Sequence, residues 1–458
     1  MSDGKSLFLP LDGPVYEREF ADLMSVFSFS DPGYRGSAKS SVFKVGVAVS
    51  GGADSMALCL LLNEWLKAQD GELIAVTVDH SLRPESGLEA KWVHTRLASE
   101  GIEHHILNWQ KEPEARGSTQ VQARNGRYRL MSKWCKENAI SSLALAHHHD
   151  DQIETFLMRV LRNSGPDGLA GMSLQRQEGG LSFIRPLLSI AKDRLLLTLR
   201  DRGWGWIEEP SNHQGTYLRN RLRQCMPDLE RKGLKMGVLS RINYSLGRIR
   251  RSLQDKTDNF INQRIVVHPA GYAEIDFSES ALISPEILSR ALERTLLTIG
   301  GGNYSPRSVK TDRLIRELLS RETVKATLAG CQIFLDHDKV MIARENRKLS
   351  TVVLSSGAQF LWDNRFFIHI HETLEDEGLL LKSLGERGWQ QLCQVYPQIK
   401  DVPIPNLARY SLPTIFLGDK IITVPHLEYL EAAWMEKLRI KMRFEPKNML
   451  IQHPFTVA

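Results

Sequence analysis

Val45-Gly46-Val47-Ala48-Val49-Ser50-Gly51-Gly52-Ala53-Asp54-Ser55-Met56-Ala57-Leu58 decides how the chain is read. Its β-branched, apolar start has the character of a strand buried in a parallel sheet. Adjacent glycines follow, then a helical apolar pattern from Met56 to Leu62. A strand, a tight glycine turn and a helix N-terminus together make an anion site, because free backbone N–H groups and the helix dipole both favour phosphate. Ser50 and Ser55 add hydroxyl donors, and Asp54 is placed to hold Mg2+ against the phosphates. An ordinary turn explains Gly51-Gly52 alone, but the hexapeptide Ser50–Ser55 is far more specific. No Walker A pattern occurs in the chain, which disfavours transfer of a γ-phosphate.

With 458 residues the chain should form two to four domains. No apolar run is long enough to span a bilayer, and Leu7-Phe8-Leu9-Pro10 is too short for a signal peptide. The five cysteines are scattered without a CxxC, which argues against a disulfide framework, a zinc ribbon or a thiol sulfur carrier. A reducing cytoplasm and no membrane partner are expected. The net charge of +5 permits a nucleic-acid partner without demanding one.

From Val42 onward strands alternate with helices. The strands are Val45–Val49, Leu73–Val78, Ile106–Trp109 and Leu143–Ala146, with a helix that runs to Lys67 and others near 89–100, 120–138 and 152–162. That order implies a doubly wound parallel α/β sheet with ligands at the C-terminal ends of its strands. Two polar clusters fall at such ends, Asp79-His80-Ser81 and His147-His148-His149-Asp150-Asp151. The second is compatible with plain capping of the next helix by Asp150 or Asp151, or with metal ligation as in a phosphohydrolase. The Ser50–Ser55 loop on the same sheet edge favours a shared active site instead.

Ser50–Ser55 resembles the PP-loop of the N-type ATP pyrophosphatases, which split ATP between the α and β phosphates. Further motifs extend the likeness, in the order and spacing of tRNA(Ile)-lysidine synthetases. They are Val78–Arg83, Gln122–Tyr128, Ala146–Thr155, Arg162–Leu169, Ile184–Leu187, Trp206–Asn212 and Tyr217–Arg223. Asn163 stands where that family usually has glycine, and Ala53 occupies the loop's variable position. The resemblance implies that the wobble cytidine of a tRNA(Ile) with a CAU anticodon attacks the α-phosphorus of ATP, releasing pyrophosphate. The ε-amine of free L-lysine then displaces AMP from C2 to give lysidine. Asp54 is the candidate magnesium contact, and Ser50, Gly51, Gly52, Ala53, Asp54 and Ser55 form the ATP loop. His148, Asp150, Asp151 and Glu154 are candidates to orient the lysine and take its proton, a need set by an amine pKa near ~10.4. Arg124, Arg127, Arg162 and Arg219 are the guanidinium groups within matching motifs, either offsetting developing charge or forming internal salt bridges.

Residues 1–40 are expected to be an extension of uncertain order, 41–225 the catalytic domain, 226–345 a mostly helical middle domain and 346–458 a small α/β, tRNA-binding C-terminal domain. Leu239, Ile242, Leu246, Ile249 and Leu253 make an amphipathic stripe, with Arg241, Arg248 and Arg251 opposite it as a solvated face or a track for RNA phosphates. Lys437-Leu438-Arg439-Ile440-Lys441-Met442-Arg443-Phe444 alternates strictly, so Lys437, Arg439, Lys441 and Arg443 form one basic row. The sequence leaves the oligomeric state open, a homodimer included. Two rival readings are a PP-loop enzyme that thiolates a tRNA base, which the lack of CxxC disfavours, and an inactive RNA-binding module, which has no need of an intact Ser50–Ser55 loop with Asp150 and Asp151.

Overall fold

The computed structural model describes residues 13–29, 43–80, 85–110, 119–208, 218–278, 283–320, 323–371, 378–435 and 438–458. Ser81–Arg83, Glu209–Asn212, Tyr217 and Lys437 therefore lie outside the described residues. The chain forms two compact units, Met1–Ser252 with His453–Ala458, and Leu253–Gln452.

The first unit begins with α1 (Glu17–Met24) and β1 (Lys44–Ala48), followed by α2 (Ala53–Lys67), β2 (Glu72–Asp79), α3 (Ser86–Ala98), β3 (Glu103–Asn108) and α4 (Thr119–Glu137). Next come β4 (Ser142–Ala144), α5 (His149–Leu161), α6 (Pro166–Leu169), β5 (Gln175–Glu178), β6 (Leu181–Ile184) and α7 (Lys192–Asp201). Then follow α8 (Leu218–Arg231) and α9 (Met236–Arg264), whose last turns belong to the second unit. The sheet order is β3-β2-β1-β4-β6-β5, parallel throughout except for β5 against β6. The parallel sheet read from the sequence is thus the one observed. Chain order reverses about β1, so the loops after β1 and β4 open onto a single crevice.

Eleven of the 15 residues of α2 are buried, which accounts for an apolar pattern running around the whole helix rather than along one stripe. Within the stretch expected to be of uncertain order, α1 is formed. Phe20 and Met24 enter the core of α2, and Arg194 pairs with Glu19 at 2.6 Å. Asn163 takes φ +51°, the left-handed conformation its glycine equivalent would adopt and one that asparagine tolerates.

The face of α9 differs from expectation. Ile242 and Ile249 are 43% and 51% exposed, while Leu239, Ser240, Asn243 and Gly247 are buried. Polar partners turn the helix. Asn243 donates to the Leu169 carbonyl at 2.8 Å, Ser240 meets His149, and Gly247 admits Val457. Arg241 and Arg248 are exposed as read, but Arg251, placed on the outer face by periodicity, is half-buried and donates to the Phe455 carbonyl at 3.2 Å.

The second unit holds β7 (Ile265–His268), β8 (Tyr272–Asp276), α10 (Pro285–Gly300), α11 (Ser308–Ser320), β9 (Thr323–Leu328), β10 (Cys331–Asp336) and β11 (Lys339–Arg344). It continues with β12 (Val352–Val353), β13 (Gln359–Trp362), β14 (Phe366–Ile370), β15 (Leu379–Ser383), α12 (Gly385–Val395), α13 (Asn406–Arg409), β16 (Pro413–Leu417), β17 (Lys420–Val424), β18 (Tyr429–Leu430) and β19 (Ile440–Phe444). The helices read at Pro285 and Ser308 are α10 and α11, but a five-stranded antiparallel sheet, β7-β8-β11-β10-β9, lies beneath them. Two-residue turns at Ala329-Gly330 and His337-Asp338 close its hairpins, with positive φ at Ala329, Gly330 and His337. A second five-stranded sheet and a three-stranded one, β13-β14-β19, complete the unit.

Candidate active site

The loop between β1 and α2 is held by its own side chains. Ser55 Oγ donates to the Gly52 carbonyl at 2.9 Å and accepts from the Ser50 N–H at 3.1 Å. Its proton is thereby engaged, so the Ser50 hydroxyl, 3.2 Å from Ser55 Oγ, donates to it, and both serines shape the loop. Gly51 has φ +89°, and a Cβ there would come within 2.8 Å of Ile207. Only glycine fits at that point.

The loop after β4 meets this one. His148 is the N-cap of α5 and is almost fully buried. Its Nε2 lies 3.4 Å from Asp54 Oδ2 and 3.5 Å from Asp151 Oδ2, and its Nδ1 lies 3.9 Å from Asp150 Oδ1. Burial works against a charged imidazole, but the Asp54 hydrogen bond and three nearby carboxylates prevail and hold its pKa above the usual histidine value. Burial likewise opposes the Asp54 carboxylate, and His148, Lys192 and Arg223 together pull its pKa below the usual range. His147 is the opposite case: burial and the Arg185 guanidinium keep it neutral, down at about 3.

Glu154 and Asp151 are buried one turn further along α5 and face two arginines of α8. Arg219 Nε is 3.0 Å from Glu154, and Arg223 grips both Glu154 oxygens while approaching Asp151 at 3.6 Å. Asp151 also accepts the His148 N–H at 3.3 Å, so it does cap the helix, as the plainer reading had it, while lining the site. Asp150, with its side chain 43% exposed, is the most accessible of these carboxylates. The structure therefore brings Ser50, Gly51, Gly52, Ala53, Asp54 and Ser55 together with His148, Asp150, Asp151, Glu154 and Arg219. Arg124 is exposed on α4, with its guanidinium 5.8 Å from the Tyr128 ring. Arg162 is not brought in, since it is the exposed C-cap of α5, about 20 Å along the helix axis from His148.

Lys192 and Arg223 were not singled out as site residues by sequence reasoning. Lys192 opens α7, with Nζ 4.0 Å from Asp54 Oδ2. The signal for it was a lysine five residues after Leu187, beyond the end of a recognised motif; for Arg223 it was an arginine one helical turn after Arg219. A cleft of about 450 Å³ is lined by Ser50, Asp54, Ser55, Asp79, His80, Arg127 and His147. Asp54 Oδ1 is buried there without a hydrogen-bond partner, which fits a magnesium ion brought in with phosphate. Among the described residues no cluster of three His, Cys, Asp or Glu side chains would hold a metal unaided.

A parallel sheet whose glycine loop and His-Asp loop meet at its switch point defines a PP-loop nucleotide-binding protein, and a PP-loop domain model matches residues 32–229. The tRNA(Ile)-lysidine synthase of Wolbachia pipientis wMel is 33% identical over 400 residues, covering 84% of this chain and 89% of that protein. That of Ruegeria pomeroyi is 33% identical over 404 residues, covering 86% and 91%. A fainter likeness, TM-score 0.39 at 20% identity over 50% of this chain and 79% of the other, is to the U34-tRNA thiolase NcsA from Methanococcus maripaludis. The chain belongs to the tRNA(Ile)-lysidine synthase family.

Proposed function

We infer that the chain is an ATP-dependent ligase that joins free L-lysine to C2 of the wobble cytidine in the CAU anticodon of a tRNA(Ile). The observation that carries this is the meeting of Asp54 and His148 at the switch point, in a chain that covers 89% of a curated relative of that name. ATP lies with its phosphates on the Ser50–Ser55 loop, where backbone N–H groups and the N-terminus of α2 face the departing pyrophosphate. A bound magnesium ion would supply further neutralisation of that charge. Lys192 stands beside Asp54 as a fixed positive group, and the raised pKa of His148 suits it to electrostatics better than to base catalysis.

The cytidine C2 oxygen bonds to the α-phosphorus and the α–β bridging bond breaks. The neutral ε-amine of lysine then bonds to C2 as AMP leaves with that oxygen. The ammonium proton has to go to a carboxylate first. Asp150 is reached without displacing a guanidinium, whereas Asp151 and Glu154 are held by Arg219 and Arg223. No helix among the described residues is long and apolar enough to cross a membrane, and Cys59, Cys135 and Cys331 are buried free thiols, which supports work in the cytoplasm. The test is incubation of purified protein with ATP, labelled lysine and bulk tRNA. Label should enter RNA with AMP and pyrophosphate as co-products; ADP and inorganic phosphate as primary products would overturn the reading.

A further inference from the structure

The first unit has a second concavity, about 810 Å³, between one face of α4 and the β5–β6 hairpin. Five cations line it, Arg124, Arg129, Lys133, Lys136 and Arg176, against a single carboxylate, Glu178. Arg129, Lys133 and Lys136 recur at four and three along an exposed helix face, a like-charge arrangement that costs helix stability. Lys133 has Glu137 at 3.8 Å with both side chains well exposed, and Arg176 pairs with Glu178 on the hairpin. Gly179 and Gly180 at the hairpin tip both have positive φ, with open space where a Cβ would stand.

Pockets for small ligands are mostly apolar, with a few fixed polar groups. This one is lined by five cationic side chains against one carboxylate, which suits a polyanion tracked through several separate phosphate contacts. It also has a direction. Tyr128 lines both this groove and the phosphate-loop cleft, with Arg124 and Arg127 each 5.8 Å from its ring. A nucleotide entering the cleft must leave its flanking backbone outside, and the cationic groove begins at the wall they share.

We propose that the groove between α4 and the β5–β6 hairpin holds the RNA backbone flanking the nucleotide modified in the cleft, with Tyr128 marking where the strand turns inward. The inference rests on tRNA being the substrate, and the experiment separates the two. Wild type, Lys133→Gln with Lys136→Gln, Lys133→Glu with Lys136→Glu, and the control Lys67→Glu on α2 are compared for lysine transfer to a tRNA(Ile) transcript. The charge-neutral pair guards against misfolding of the reversed pair, and melting curves check both. The expected result is a KM for tRNA raised by about tenfold and a salt dependence flattened by about one per lost phosphate contact, with the KM values for ATP and lysine and the control unchanged. Wild type that transfers no lysine would overturn the substrate reading itself. Active wild type with unaltered tRNA KM and salt slope in both pairs would overturn the groove. A change confined to the KM of ATP or lysine would assign the groove to a small anion and overturn it equally.

Discussion

His148 Nε2 lies 3.4 Å from Asp54 Oδ2, so the loops after β1 and β4 are joined by a contact between imidazole and carboxylate. His148→Gln keeps the approximate shape and a hydrogen-bond donor, and removes the titratable ring. We expect pyrophosphate release to slow by about 100-fold, with tRNA affinity near wild type. Asp54→Asn should abolish adenylation under the same conditions. Stopped-flow pyrophosphate detection checks both, and full adenylation in either variant would show that the contact only holds the loops together.

The carboxylates of α5 should separate into two behaviours. Asp150→Asn should raise the KM for lysine by about tenfold while adenylated tRNA still accumulates, because Asp150 is the most accessible of these carboxylates. Glu154→Gln leaves Arg219 and Arg223 facing a neutral amide, and none of the residues of α8 is buried enough to hold that helix by packing alone. Proteolysis within α8 should therefore accelerate in Glu154→Gln and not in Asp150→Asn. Equal protection in both would show that α8 is held by other contacts.

The catalytic half of the fold was legible because strands buried on both faces and glycine loops leave strong local signals, as Val45–Gly52 does. What was missed depends on contacts distant in sequence. Ser240 and Asn243 are buried on α9 because His149 and the Leu169 carbonyl await them, which no periodicity of α9 reveals. Residues His453–Ala458 return to the first unit, where Thr456 N–H donates to Ser173 Oγ at 2.9 Å, through a stretch with no pattern of its own. The Asp54–His148 pairing was implied by two clusters on one sheet edge. Lys192 was invisible until α7 placed it there.

His104 gives the first unit an acid sensitivity. Thr77 Oγ1 donates to the Val49 carbonyl at 2.7 Å, so it must accept from His104 Nε2–H at 2.8 Å. His104 Nδ1 is then bare and accepts from His94 Nδ1, 3.3 Å away. Burial, with His94 and His105 nearby, lowers the His104 pKa from 6.5 to about 4. The neutral form is the native one, so this contribution is complete above pH 6.5 and is lost as pH falls toward 4, by about 3 kcal/mol at the limit. Urea midpoints between those pH values should fall less steeply in His104→Gln than in wild type; parallel slopes would remove His104 as the cause.

In the second unit the fully buried Arg365 and its neighbour Arg344 share Asp363, at 2.7 and 3.0 Å. Burial brings the Arg365 pKa down to about 10, so the guanidinium remains charged and needs its partner. Asp363→Asn should destabilise this unit by about 3–5 kcal/mol, because an unpaired buried charge costs more than the pair contributes. Denaturant unfolding followed by circular dichroism measures it, and a loss below about 1 kcal/mol would mean that the arginines find water instead.

The basic row on β19 is the prediction furthest from the chemistry. Leu438 is buried, Ile440, Met442 and Phe444 are half-buried, and Arg439, Lys441 and Arg443 are exposed on the opposite face; Lys437 lies outside the described residues. Pairing with β14 sets Lys441 opposite His369 and Arg443 opposite Phe367, so rings interleave with cations on one sheet face. His369 and His371 stack there at 4.6 Å. Cations about 6–7 Å apart with rings between them suit phosphates and unstacked bases better than they suit stability, since like charges in a row repel. Arg443 is partly neutralised by Glu445 at 2.9 Å, which leaves Arg439 and Lys441 as the residues to reverse. Arg439→Glu with Lys441→Glu should weaken tRNA binding and lower its salt slope by about two, one for each lost phosphate contact. Turnover at saturating tRNA should stay within about twofold of wild type, because β19 belongs to the unit that does not carry the phosphate loop. Filter binding at several salt concentrations decides the matter, and an unchanged slope in a folded double variant would assign the row to solvent.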